Sequence, residues 1–178
     1  GTLLRVQGEY EQALAFFHAL LLKEAENPLF IEGMADTYLY AGQIKEAKAR
    51  YDKLLASPGA KNNSKVKTLA LLLSSAIDDQ AVSTLIEHHR RLLSEGSDKP
   101  EHSYLLALLY IQQGQLDNAV RYLVQAVEQG MVLLPQHLGS VLVKPLSKDT
   151  RYQTLVNRLV SPANGALPQD DALNFFRP

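Results

Sequence analysis

The chain contains no cysteine, which removes disulfides, thiolate metal sites and cysteine nucleophiles together. It also lacks an excess of either charge: eighteen Lys and Arg face nineteen Asp and Glu, a formal net charge of −1. Phosphate recognition needs a clustered cationic field, so nucleic acid is not the expected partner. Long apolar runs are missing as well. The longest, at 69–73 and 105–111, fall far short of the roughly 20 residues that span a bilayer. No basic-then-apolar leader opens the chain. Neither a nucleophile elbow, a phosphate loop nor a zinc-binding helix occurs in it, so no reaction, metal or cofactor is expected. None of these absences distinguishes a cytoplasmic from a periplasmic location.

What is present is a period. Gly8 and Gly42 stand 34 residues apart, and Gly42 and Gly114 stand 72 apart, room for two further units of about 36. The flanking residues agree in register. Five after each glycine come Ala13, Ala47 and Ala119; nine after come Phe17, Tyr51 and Leu123. Seven before come Gly1, Ala35 and Ala107, and four before come Leu4, Tyr38 and Tyr110. Such a pattern describes helical hairpins. A glycine accepts positive φ and ends the first helix. Small residues on facing positions let the two axes approach, while large ones fill the space beside them. A lone hairpin cannot bury its apolar face, so the hairpins must stack. Nearly half of the 178 residues are apolar, enough to build that core.

Boundaries support the reading. Asn27-Pro28 is an N-cap with proline at the first helical position. Ser57-Pro58-Gly59 ends a helix, Gly96 and Gly130 are C-terminal stops, and Asp98-Lys99-Pro100 opens another. Between them, 66–76 and 80–93 are helical in pattern around Asp78-Asp79, a third hairpin without a turn glycine and uncertain by about two residues in register. Beyond Gly130 the period fails. Residues 147–159 read as a last helix, with Tyr152, Leu155, Val156 and Leu159 on one stripe. The histidines, His18, His88, His89, His102 and His137, are expected as exposed or half-buried helix residues. His88 and His89 are adjacent, so they point about 100° apart and are not a ligand pair.

The arrangement resembles the tetratricopeptide repeat (TPR), most closely over 1–26, 28–60 and 99–131. The fold expected is all-α, a right-handed α-α superhelix of stacked helical hairpins with a C-terminal cap. Its parts are an array over 1–131 (a partial repeat at 1–26, a repeat at 28–60, a degenerate one at 62–96 and a repeat at 98–131), capping helices over 132–160, and an extended tail over 161–178. Gly1 falls at the middle of a hairpin's first helix, so the chain is expected to be a piece of a longer protein. The segment Pro145-Leu146, Asp149-Thr150-Arg151-Tyr152, Leu155 and Leu159 is similar to those that follow such arrays in bacterial regulators, although Thr150 replaces the usual proline.

The resemblance implies a scaffold that holds another polypeptide in its concave groove, lined by the first helix of each hairpin. Carried over through Gly42, the groove positions are Leu29, Glu32, Asp36, Leu39 and Tyr40. Through Gly114 they are Glu101, Tyr104, Leu108, Ile111 and Gln112, and the degenerate repeat adds Lys67, Leu71 and Ser74. Such a groove is apolar and aromatic with some acid. It departs from the chaperone-binding subfamily, whose cationic groove clamps a carboxylate, and suits a peptide or amphipathic helix with apolar anchors and a basic residue. The alternative is the sensory portion of a bacterial transcription regulator or kinase. The tail, with Leu173, Phe175 and Phe176, is expected to dock onto the repeats of its own chain or of a second copy.

Overall fold

The computed structural model describes residues 1–160 of the chain, which places the expectation about Phe175, Phe176 and self-association outside the described residues. The fold is all-α, a solenoid-type succession of helical hairpins, and among the described residues no strand occurs. Helices α1 (Thr2–Val6) and α2 (Tyr10–Lys23), α3 (Pro28–Tyr40) and α4 (Ile44–Ala56), α5 (Ser64–Leu72) and α6 (Asp79–Ser94), and α7 (Pro100–Gln112) and α8 (Leu116–Glu128) follow in pairs. A single helical turn α9 (Pro135–Leu138), a 3-10 turn (Lys144–Leu146) and α10 (Thr150–Val160) complete it. The described residues divide into two compact units, 1–85 and 86 onward, with the boundary inside α6.

The hairpin turns share one hydrogen-bonding scheme. Gly8, Gly42 and Gly114 take φ of 76°, 75° and 70°. In each turn the glycine N–H donates to the carbonyl three residues back (Arg5, Leu39, Ile111), and the next N–H donates to the carbonyl five back (Leu4, Tyr38, Tyr110). This scheme satisfies carbonyls that a helix end leaves without partners. Gly96 and Gly130 close α6 and α8 in the same way.

Unit 1 is built from α1 to α5 and the start of α6. Its core is Ala13, Phe17, Ile31, Met34, Ala35, Leu39, Ala47, Tyr51 and Leu54, all buried. The alanines five after each glycine are fully enclosed, which is why nothing larger stands there. Helix α2 packs on α3 through Phe17: a Cβ added at Gly33 would lie 2.4 Å from its ring. Helix α5 opens earlier than periodicity places it. Asn63 supplies the cap, its Oδ1 accepting the Val66 N–H at 3.1 Å, as Asn27 accepts that of Leu29 at 3.0 Å. Asp78 begins α6, accepting the Gln80 N–H at 3.0 Å.

In unit 2, α7 is buried along its length from His102 to Ile111 and packs tightly on α8. The segment past Gly130 repeats the hairpin order in reduced form. Its first turn, α9, meets α7 where the His137 ring stands edge-on to Tyr104 with centroids 5.5 Å apart. Its second helix, α10, meets α8 through Arg151 and Asp117 at 2.6 Å. Helix α10 is tied back to α9 by Tyr152, whose hydroxyl donates to the Leu138 carbonyl at 3.0 Å. Helix α10 starts three residues later than its apolar stripe alone indicates, because Asp149 caps it by accepting the Arg151 N–H at 2.9 Å.

Candidate functional site

A cluster of ionised side chains lies on the first-helix face of unit 1. Arg5 stands three residues before Gly8, as Leu39 stands three before Gly42, so the two share one register position in successive hairpins. Its Nη1 lies 3.2 Å from Asp36 Oδ2 and donates to the Gly33 carbonyl at 3.4 Å. From the other side Lys65 of α5 donates to Asp36 Oδ2 at 3.0 Å and to Glu32 Oε1 at 2.7 Å. The second oxygen of Asp36 accepts the Tyr51 hydroxyl at 2.6 Å. One carboxylate is therefore held by three successive hairpins: by α1, by α4 of its own hairpin, and by α5.

Two cations meet two anions here, so the cluster is charge-balanced. Burial opposes the charge on Lys65, yet Asp36 and Glu32 outweigh it and hold the ammonium well above its ordinary range. Burial, followed by the Asp36 charge, raises the Tyr51 phenol well above 10; it stays a donor at neutral pH. The Arg5 and Asp36 side chains are about a tenth exposed, and those of Lys65 and Glu32 about a quarter. The second pair forms the solvent-facing rim and the first the floor.

The residues assigned to the groove fall into two groups. In unit 1, Leu29 is 74% exposed, Lys67 is exposed, and Glu32, Tyr40, Leu71 and Ser74 are partly so. Asp36 and Leu39 are buried. In unit 2, Glu101 and Gln112 are exposed, whereas Tyr104, Leu108 and Ile111 are buried. The structure brings Lys65, not Lys67, to Glu32 and Asp36. The reason is the cap: with Asn63 equivalent to Asn27, Lys65 corresponds to Leu29, two residues from the position that periodicity selects.

Three members of the cluster were not legible as site residues. Arg5 had a signal in the glycine register, and Lys65 had one in the paired asparagine caps. Tyr51 reads only as a filler of the hairpin, since its equivalents Phe17 and Leu123 carry no hydroxyl. Two of the histidines depart from expectation. His18 is exposed and His88 and His137 are half-buried, but His89 and His102 are buried, because His89 continues the buried stripe of Val82 and Ile86 on α6. Among the described residues no group of three or more His, Cys, Asp or Glu is placed to hold a metal ion. No helix among them is long and apolar enough to cross a membrane.

Comparison with known proteins agrees with this architecture. A family model described as tetratricopeptide repeat matches residues 4–72, and a second of the same description matches 103–129. No curated protein sequence matches the chain significantly. The chain is similar to a solved structure described as "Crystal structure of MamA", at 16% identity and a TM-score of 0.44, over 97% of this chain and 88% of that one. The two matches take in all three hairpins with glycine turns, and the chain carries tetratricopeptide repeats over 4–72 and 103–129.

Proposed function

We propose that the chain is a protein-interaction scaffold that seats a peptide or amphipathic helix of a partner against the first-helix faces of its hairpins, and that it catalyses no reaction. Tetratricopeptide-repeat proteins are in general scaffolds of this kind. The observation that carries the reading for this chain is the face of α3. There an exposed Leu29 stands one turn from the partly exposed Glu32–Lys65 pair. An apolar anchor beside a fixed polar pair is the combination that segment-binding grooves use. Because Lys65 and Arg5 neutralise the two acids, the face does not call for a basic residue in the partner. Its apolar contacts would be Leu29, Tyr40 and Leu71, with Glu32 and Lys65 fixing orientation. In this reading residues 1–131 are the array, and 132–160, with its hairpin-like α9 and α10, close the end of it.

A photo-crosslinking amino acid at position 29 or 40, compared with one at the exposed Ala49 of α4, tests the site. The expected result is a partner adduct at 29 and 40 that Leu29→Glu abolishes while helical circular dichroism is retained. Adducts at 49 alone would move the site to the second-helix face and sink the proposal.

A further inference from the structure

His89 is 0% exposed and its ring faces that of His102 across α6 and α7. The two Nδ1 atoms lie 3.1 Å apart, with ring centroids 5.3 Å apart. A third ring, His88, meets His89 edge-on at 5.4 Å and has its own Nδ1 3.5 Å from Arg91. At 3.1 Å two ring nitrogens share one proton: one Nδ1–H donates and the other Nδ1 accepts, so the rings hold opposite tautomers.

Proton uptake by this pair has two steps with different consequences. The first proton goes to the remote Nε2 of the donor ring. The resulting imidazolium still donates its Nδ1–H, so the hydrogen bond survives, but a charge now sits in a buried contact. The second must go to the accepting Nδ1. It would set two N–H groups head to head, with two like charges a few ångströms apart, and the contact cannot hold.

Charged and titratable neighbours bear on both steps. From α6 the nearby ionisable group is His88; from α7 they are Lys99 and Glu101. The neutral Gln129, just past the end of α8, accepts from the Ser103 hydroxyl at 2.6 Å. Only Glu101 favours a charged His102, and burial outweighs it, so His102 is held below its ordinary value. Burial, then His102 and His88, lowers His89 to about 4.

We propose that the His89–His102 pair is an acid-sensitive latch that joins α6 to α7 while both rings are neutral and releases them on proton uptake. Both groups are easier to protonate in the opened chain, near 6.5, than in the closed one. The contribution of the latch is therefore full above about pH 6.5 and is lost as pH falls towards 4. Because the rings are coupled, the loss comes in two macroscopic steps.

The test uses the full chain. Histidine ring signals are followed by NMR from pH 8 to 3.5, with the urea-unfolded chain as reference, alongside hydrogen exchange corrected for its intrinsic pH dependence. The expected result has two parts. His89 and His102 both titrate below the unfolded chain's histidines, His89 near pH 4. Exchange in 86–94 and in Pro100–Gln112 rises by up to ~300-fold between pH 6.5 and 4, while Pro28–Tyr40 keeps its protection. Titration of His89 and His102 together with the histidines of the unfolded chain would overturn the proposal. So would unchanged protection of the two segments once the rings are protonated. A His89→Phe, His102→Leu double variant is expected to lose the selective opening, and its persistence there would assign the acid response to other groups.

Discussion

Replacing Asp36 separates a structural hub from an ordinary surface ion pair. Asp36→Ala removes the acceptor of a Tyr51 hydroxyl that is 0% exposed. An unsatisfied buried donor of that kind costs about 1–3 kcal/mol. The same change strips a counter-charge from Arg5 and Lys65. Breaking a fully buried pair costs roughly 3–5 kcal/mol, a figure to be discounted here because both cations retain some solvent and Lys65 keeps Glu32. The total expected for Asp36→Ala is therefore ~3 kcal/mol. Tyr51→Phe removes one hydroxyl and leaves the charges paired, so about 1 kcal/mol is expected. Asp36→Asn keeps an oxygen for Tyr51 and loses only the charge, and should fall between the two. Urea unfolding followed by circular dichroism resolves the series, since ~3 kcal/mol moves a midpoint by on the order of 1–2 M. Adding 1 M salt, where the screening length is about 3 Å, should shrink the Asp36→Asn penalty and leave that of Tyr51→Phe in place. If Asp36→Ala costs no more than Tyr51→Phe, the carboxylate does not act as a hub.

Two further substitutions probe the scaffold. Gly33→Ala sets a methyl 2.4 Å from Phe17 and should cost about 1–3 kcal/mol by overpacking; thermal unfolding measures it, and a second change, Phe17→Leu, should restore part of the loss. Asn63→Ala removes the cap of α5 and should cost roughly 0.5–2 kcal/mol, with hydrogen exchange accelerating first in Ser64–Leu72; uniform exchange would mean that the cap is not what fixes that helix.

The parts of this chain that could be read from the sequence are those fixed by local backbone chemistry. Gly8, Gly42 and Gly114 announce their turns because a positive φ is costly for any other residue, and the alanines at fixed distances follow from helix contact within one hairpin. The third hairpin lacks such a marker. Its register depends on Asn63, one asparagine in a run of polar residues, and the reading there passed over Lys65, two residues before Lys67. The ionic cluster was hidden for another reason. Arg5, Asp36 and Lys65 lie about thirty residues apart in sequence, and long side chains reach across hairpins in directions that spacing does not encode. His89 was misjudged on residue type, although Val82, Ile86 and His89 together trace a buried stripe that treats it as one more core position.

The three-hairpin grip on Asp36 also bears on how such an array can change. Tandem repeats are often treated as interchangeable bricks, free to be duplicated, deleted or shuffled. The brick of α3 and α4 is not. At the place of Asp36, six residues before the turn glycine, the hairpin of α7 and α8 carries Leu108. Grafting that hairpin between α2 and α5 would confront Arg5 and Lys65 with a hydrocarbon. Moving α3 and α4 elsewhere would carry away a carboxylate and a phenol whose partners stay behind. Insertions and recombination are therefore expected to be tolerated at other joints of the array sooner than at the two that flank this hairpin, where the order of the repeats is written in charge.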